Sequence, residues 1–365
     1  MSYISEQEHR TRVPAAIISG FLGSGKTTLI NAILRDPRFA RTAVAINEFG
    51  EVPIDQHLID HGDDQTIVMA NGCLCCNLAG DMEEAVMRVF GRSEQGEIPS
   101  FDRLIVEPSG LSDPAPIAQA LLRQPVLSRA FSLHPLLVTI DAALILSQLD
   151  RHSEVRKQIE LADTIVVTKV DLVEPTTAAR VIGELKVLNP SAKVHQVSRG
   201  QIDPTLLFSS SFYDLEAGAH PVSELLCLQS HVEEDRGASE QPHIDTHGHD
   251  HASVRHGDVV SVSLTANVPL PWRPLEEWLR DIRIRNGGQL LRIKGLINTR
   301  GLSRPMVIQA VEHVQSVPVQ LRCWPSSDHR TRIVMIGRGL DVAGIRESWS
   351  TFCTNVVAFD MPALF

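Results

Sequence analysis

From Val13 to about Ser198 the chain alternates short apolar runs with stretches of helical period. VPAAIIS, TAVAIN, QTIVMA, DRLIVEP, PLLVTID, DTIVVTK and AKVHQVS each form a run bounded by Gly, Pro, Asn or Asp. Their apolar positions run on rather than alternate, which is the pattern of strands covered on both faces. Between them KTTLINAILRD, DMEEAVMRVF, APIAQALLR and PTTAARVIGELKVL carry helical spacing. Strand and helix in alternation predict an α/β domain with a mainly parallel sheet over residues 11–217.

The pattern then changes. Residues 218–256 are polar with no apolar period, and predict a His-rich linker or long loop. Beyond it, DVVSVSLTA alternates as a half-buried strand, and PLEEWLRDI places Leu275, Trp278, Leu279 and Ile282 on one helical face. LLRIKGLINT, MVIQAV and TRIVMIG read as further strands. A second, smaller α+β domain is expected over residues 257–355.

Two domains agree with a length of 365 residues. With 43% hydrophobic and 21% charged residues, the composition is that of a globular protein with a sizeable core. Lys and Arg number 34 against 44 Asp and Glu, a net charge of −10, which argues against nucleic acid as a partner. The polar start, MSYISEQEHRTR, lacks the apolar core of a secretory signal, and no run reaches the length of a membrane span. A cytoplasmic location is the expectation, with no membrane partner. Thiols stay reduced there, so clustered cysteines point to metal or redox chemistry rather than to a structural disulfide.

Gly20-Phe21-Leu22-Gly23-Ser24-Gly25-Lys26-Thr27 fits G-x-x-x-x-G-K-[ST]. It follows an apolar strand and opens a helix, the context that marks a phosphate-binding loop. Its backbone N–H groups, with Gly23, Ser24, Gly25 and Thr28 in the run, are expected to face phosphate oxygens. Lys26 would reach the β- and γ-phosphates, and Thr27 would ligate Mg²⁺. LIVEPSG ends a strand at Glu107, a carboxylate suited to the same Mg²⁺ and γ-phosphate region. TIVVTKVD ends another strand with Thr168, Lys169 and Asp171. A carboxylate at Asp171 can accept from guanine N1–H and N2–H₂, which favours GTP over ATP. Thr168 stands where the usual guanine motif, N-K-x-D, has Asn.

Cys73, Cys75 and Cys76 fall within four residues, in a chain with six cysteines. Soft thiolates suit Zn²⁺, and also hold Co²⁺. Three thiols leave a fourth zinc position open, which suits a metal that must leave again. A redox pair and plain core packing are the alternatives. His243, His247, His249, His251 and His256 form a second candidate ligand set in the linker, with a solvated His-rich segment as the alternative. Helical spacing groups 243, 247 and 251, whereas strand spacing groups 247, 249 and 251, and the sequence does not choose between them.

The phosphate loop, NEFGE, GCLCC, EPSG and TKVD stand in one order. Together they resemble the CobW-type family of P-loop GTPases, related to the nickel-insertion GTPases of urease and hydrogenase maturation. WLRDI, LLRIKG and IGRGLD resemble that family's accessory domain, so the resemblance covers nearly the whole chain. Two departures from the family pattern are EPSG for E-T-[ST]-G and Thr168 for Asn. The resemblance implies GTP hydrolysis coupled to handling of zinc or cobalt, with a client metalloprotein as partner and homo-oligomer formation left open. NEFGEVPID resembles the family's switch segment. It makes Glu48 and Glu51 candidate neighbours of Mg²⁺ or the transition metal, and Asp55 a candidate for orienting the attacking water.

Overall fold

The computed structural model describes residues 12–48, 67–72, 78–198, 202–204 and 259–358. Each of the seven predicted N-terminal strands is present. They are β1 (Val13–Gly20), β2 (Thr42–Glu48), β3 (Ile67–Gly72), β4 (Arg103–Glu107), β5 (Phe131–Asp141), β6 (Thr164–Thr168) and β7 (Lys193–Gln196). They form one sheet in the order β3-β2-β4-β1-β5-β6-β7, with every pair parallel. Helices α1 (Lys26–Leu34), α2 (Leu78–Glu94), α3 (Ala115–Arg123), the short α4 (Leu127–Ala130) and α5 (Ile145–Leu149), α6 (Ser153–Leu161) and α7 (Pro175–Leu188) connect them.

The inner strands are largely apolar because both faces of the sheet are covered there, whereas β7 at the edge, KVHQ, is only partly buried. On β1, Ala16 and Ile18 pack with Leu29, Ile30 and Ile33 of α1. Ala15 and Ile17 enter the opposite core, with Val86 and Val89 of α2, Leu121 of α3, and Val155 and Ile159 of α6. Burial of this kind contributes roughly 25 cal/mol per Å² of apolar surface.

The second sheet is antiparallel and runs β11-β10-β9-β13-β8, with β12 on β10. Its strands are β8 (Val259–Ala266), β9 (Leu290–Ile297), β10 (Met306–Val311), β11 (Val314–Gln315), β12 (Val319–Gln320) and β13 (Thr331–Arg338). Two helices, α8 (Trp272–Arg285) and α9 (Val342–Ala358), accompany it. One face packs on Leu275, Trp278, Leu279 and Ile282 of α8, together with Ile345 and Trp349 of α9. The other face supplies Leu291, Leu296, Val307, Val311, Val334 and Ile336 to the core that also holds α3 and α6. The two sheets therefore share a hydrophobic cluster. This accounts for β9 and β10, buried along their whole length.

Charged pairs cross the same boundary. Asp163, just before β6, accepts from Arg292 Nη2 at 2.8 Å and pairs with Lys294 Nζ at 2.7 Å, both cations on β9. All three side chains are nearly inaccessible, at 3–7% exposure. Glu160 at the end of α6 pairs with Arg338 of β13. Among the described residues, no helix is long and apolar enough to cross a membrane.

Candidate nucleotide-binding site

The four central strands β4, β1, β5 and β6 end at Glu107, Gly20, Asp141 and Thr168, along one edge of the sheet. In a parallel α/β sheet this carboxyl edge is where ligands bind. The phosphate loop springs from β1 here. Gly20 lies opposite Thr139 in register and has φ +142°. A Cβ at that position would stand 2.3 Å from Thr139 Oγ1 and 2.7 Å from Ser24 Oγ. Only glycine lets the loop start this close to β5. The Ser24 and Thr139 hydroxyls then bond at 2.6 Å, and Ser24 N–H donates to Phe21 O at 3.2 Å. Gly20→Ala is expected to lose about 2–3 kcal/mol of stability and most nucleotide affinity, measurable by chemical unfolding and titration with a fluorescent GTP analogue.

Gly25 caps α1 in the left-handed conformation, and Lys26 begins the helix. The Lys26 ammonium donates to Gly20 O at 3.0 Å and Phe21 O at 3.3 Å, so it rests over the mouth of the loop. Thr27 Oγ1 donates to Glu107 Oε1 at 3.4 Å, although 80 residues separate them. Glu107 is buried, and its hard oxygens with the Thr27 hydroxyl are the donor chemistry that suits Mg²⁺. Thr28 is exposed one position further along α1. The EPSG segment closes over the loop. A Cβ on Gly110 would meet Leu22 N at 2.8 Å, so here too glycine permits a close approach of two backbones.

At the β6 end, the Thr168 hydroxyl lies 2.8 Å from Ser24 O and 3.1 Å from Ile140 O, donating to one at a time. Thr168 thus braces the phosphate loop through its backbone. Lys169 has φ +57°, and its ammonium donates to Gly23 O at 2.8 Å and Asp141 Oδ2 at 2.7 Å. Asp171 is exposed, and its Oδ1 accepts from Ser198 Oγ at 3.0 Å. Lys26, Thr27, Glu107, Thr168 and Lys169 are thereby gathered around one loop. Sequence reasoning passed over Thr139, Asp141 and Ser198. The register that sets Asp141 beside Thr168 could have revealed Asp141 once the order of β5 and β6 was known.

Glu48 is the last residue of β2, and the register pairs it with Gly72 of β3 and Ile46 with Glu107 of β4. Cys73 follows Gly72 directly in sequence. Glu51, Asp55, Cys73, Cys75, Cys76, His243, His247, His249, His251 and His256 lie outside the described residues. Among the described residues, no three His, Cys, Asp or Glu side chains gather as a metal site.

Comparison with known proteins agrees with this geometry. The model of the CobW/HypB/UreG nucleotide-binding domain matches residues 14–196, and that of the cobalamin synthesis protein cobW C-terminal domain matches 259–353. The chain is 28% identical over 338 residues to the zinc chaperone YjiA of Escherichia coli, covering 93% of this chain and 98% of that one. It is 27% identical over 384 residues to the zinc chaperone CobW of Pseudomonas aeruginosa, covering 93% and 91%. The crystal structure of the Zn(II)-bound YjiA GTPase from E. coli is similar with a TM-score of 0.60 and 25% identity, over 93% of this chain and 99% of that one. Two domain models in sequence order, matching an N-terminal parallel sheet and a C-terminal antiparallel one, leave a single assignment: the chain belongs to the CobW/HypB/UreG family of P-loop nucleotide-binding proteins.

Proposed function

We propose that this chain is a GTP-hydrolysing metallochaperone that binds zinc through Cys73, Cys75 and Cys76 and hands it to a client protein. The observation that carries the enzymatic half is the approach of Thr27 Oγ1 to Glu107 Oε1 beneath the phosphate loop. In this reading, Thr27 and Glu107 hold Mg²⁺, which supplies charge neutralisation at the phosphates when bound. Lys26 leaves its two carbonyls for the β- and γ-phosphates. Asp171, held by Ser198, accepts from the guanine edge, and Asp55 orients water. The metal half is supported by the relatives named zinc chaperones and by the position of Gly72. β3 ends there on the nucleotide edge of the sheet, one residue before the first thiol. Glu48 ends the neighbouring β2 on the same edge, with Glu51 three residues further on. Cobalt is the alternative cargo, and His243, His247, His249 and His251 serve as a weaker capture set.

Metal analysis of untagged protein tests the thiolate site. Zinc bound by wild type is expected to fall at least about tenfold in Cys75→Ser, and equal zinc in the two proteins would remove the thiolates from the proposal. Coupling to nucleotide requires zinc affinity to differ with and without a non-hydrolysable GTP analogue, by the same factor that zinc changes analogue affinity.

A further inference from the structure

Helix α6 touches the phosphate loop, the loop that follows Glu107 and the C-terminal sheet. At its N-cap, the His152 ring lies 4.5 Å from the Phe21 ring of the phosphate loop. In its middle the fully buried Gln158 Nε2 donates to Gly110 O at 3.1 Å and Ser112 O at 3.0 Å, holding the loop that follows Glu107. Beside Gln158, Lys157 Nζ lies between two carboxylates. Asp113 Oδ2 is 2.5 Å away, at the end of that loop, and Glu312 Oε1 is 3.3 Å away, in the C-terminal sheet. Asp113 turns its other oxygen to Ala115 N–H at 2.9 Å, so the pair also fixes the start of α3. Burial draws the Lys157 ammonium down, but the bond to Asp113 and the charges of Asp113 and Glu312 outweigh it and hold it above its usual value.

Glu312 forms the tip of the β10–β11 hairpin, and its second oxygen accepts from Gln119 Nε2 of α3 at 2.8 Å. Its backbone is left-handed, with φ +52°. A hairpin tip of this kind favours glycine or asparagine, and a glutamate is strained there. The strained tip thus places a carboxylate within reach of both Gln119 on α3 and Lys157 on α6.

We infer that Glu312 is a positioning residue for the Glu107–Asp113 loop, through which the C-terminal sheet sets the turnover rate of the nucleotide site. This rests on the GTPase reading proposed above. The chain of contact is Glu312 to Lys157, Lys157 to Asp113, and Gln158 to the carbonyls of Gly110 and Ser112. Gly110 in turn packs on the phosphate-loop backbone at Leu22. Loosening the far end leaves the loop less well aimed at the phosphates, which lowers kcat more than it raises KM.

The test uses the full chain with Glu312→Gln, Glu312→Gly, Lys157→Met and the Lys157→Met/Glu312→Gln double variant. Each variant is expected to lower kcat about fivefold with KM for GTP within about twofold. Glu312→Gly relieves the left-handed backbone, so its melting temperature is expected to be no lower than wild type, which separates lost positioning from lost folding. The double variant is expected to match the slower single one, because both break the same chain. Wild-type kcat in both Glu312 variants, or effects that multiply in the double variant, would overturn the inference. If wild type itself binds GTP but does not hydrolyse it, the enzymatic reading fails by itself. Amide exchange of Met306–Gln315 then decides the relay: a difference between GDP and a non-hydrolysable analogue supports it, and identical exchange overturns it.

Discussion

Asp163→Asn is expected to cost about 3–5 kcal/mol of unfolding free energy, because it leaves two buried cations without their anion. Asp163 Oδ2 accepts from Arg292 Nη2 and from Leu136 N–H, both at 2.8 Å, and Oδ1 takes Lys294 Nζ at 2.7 Å. Burial by itself would push the carboxyl up. Arg292 and Lys294, with the bonds from Lys294 and Leu136 N–H, outweigh it and hold the group below the usual carboxylate range. A carboxylate whose folded pKa is depressed stabilises fully above its unfolded value, near pH 3.9, and loses that contribution as pH falls through the lower folded value. The gap between wild type and Asp163→Asn is therefore expected to be widest near neutrality and to narrow in acid below about pH 4. Urea unfolding at several pH values measures it. Adding Lys294→Met to Asp163→Asn is expected to restore part of the loss, since one unpaired charge leaves the interface. A loss under about 1 kcal/mol at pH 7 would mean that these charges behave as an exposed pair.

Why this triad escaped the sequence explains much of what was readable. Asp163 and Arg292 are 129 positions apart, and no local period links them. In LLRIKGLI the two cations interrupt an apolar run, and only the packing of β9 between two layers turns them inward. The inner parallel strands were visible because strands covered on both faces run apolar, and β7, KVHQ and only partly buried, was marked instead by its place in the strand–helix alternation. Helix α6 was not. Its buried face comprises Val155, Gln158, Ile159, Glu160 and Leu161, so two of the five inward positions carry polar groups that the domain boundary then satisfies. At the site, the glycine spacing of the phosphate loop is imposed by backbone geometry and therefore survives as a pattern. Glu107 and Thr168 were findable because each ends an apolar strand. Asp141 also ends one, but its partner Lys169 arrives only when β5 and β6 lie side by side. Ser198 gives no local signal, and acquires meaning only through Asp171.

Lys26→Met is expected to lower kcat for GTP hydrolysis by at least about 10³-fold while leaving the fold within about 1 kcal/mol of wild type. The two halves of that expectation have different origins. Lys26 is half-buried, and its ammonium makes bonds to two neutral carbonyls of its own loop, Gly20 O at 3.0 Å and Phe21 O at 3.3 Å. The site is half-buried, so water replaces these charge-assisted bonds when the ammonium is removed and limits the net loss. Methionine keeps the length of the stem and the helix propensity at the start of α1. Against a triphosphate, the same ammonium meets charge that grows on the β–γ bridge as the bond breaks, in a loop whose dipoles are already turned toward it. Stabilisation that exists only as the bond breaks appears in kcat, not in binding. GTP affinity is therefore expected to fall much less than turnover, because the backbone N–H groups of the loop other than that of Ser24, which is bonded to Phe21 O, are unchanged by the substitution. Single-turnover hydrolysis and equilibrium titration of the same variant separate the two. A variant that binds as weakly as it hydrolyses would instead make Lys26 a ground-state anchor, and would move the burden of catalysis to Thr27, Glu107 and the metal they are proposed to hold.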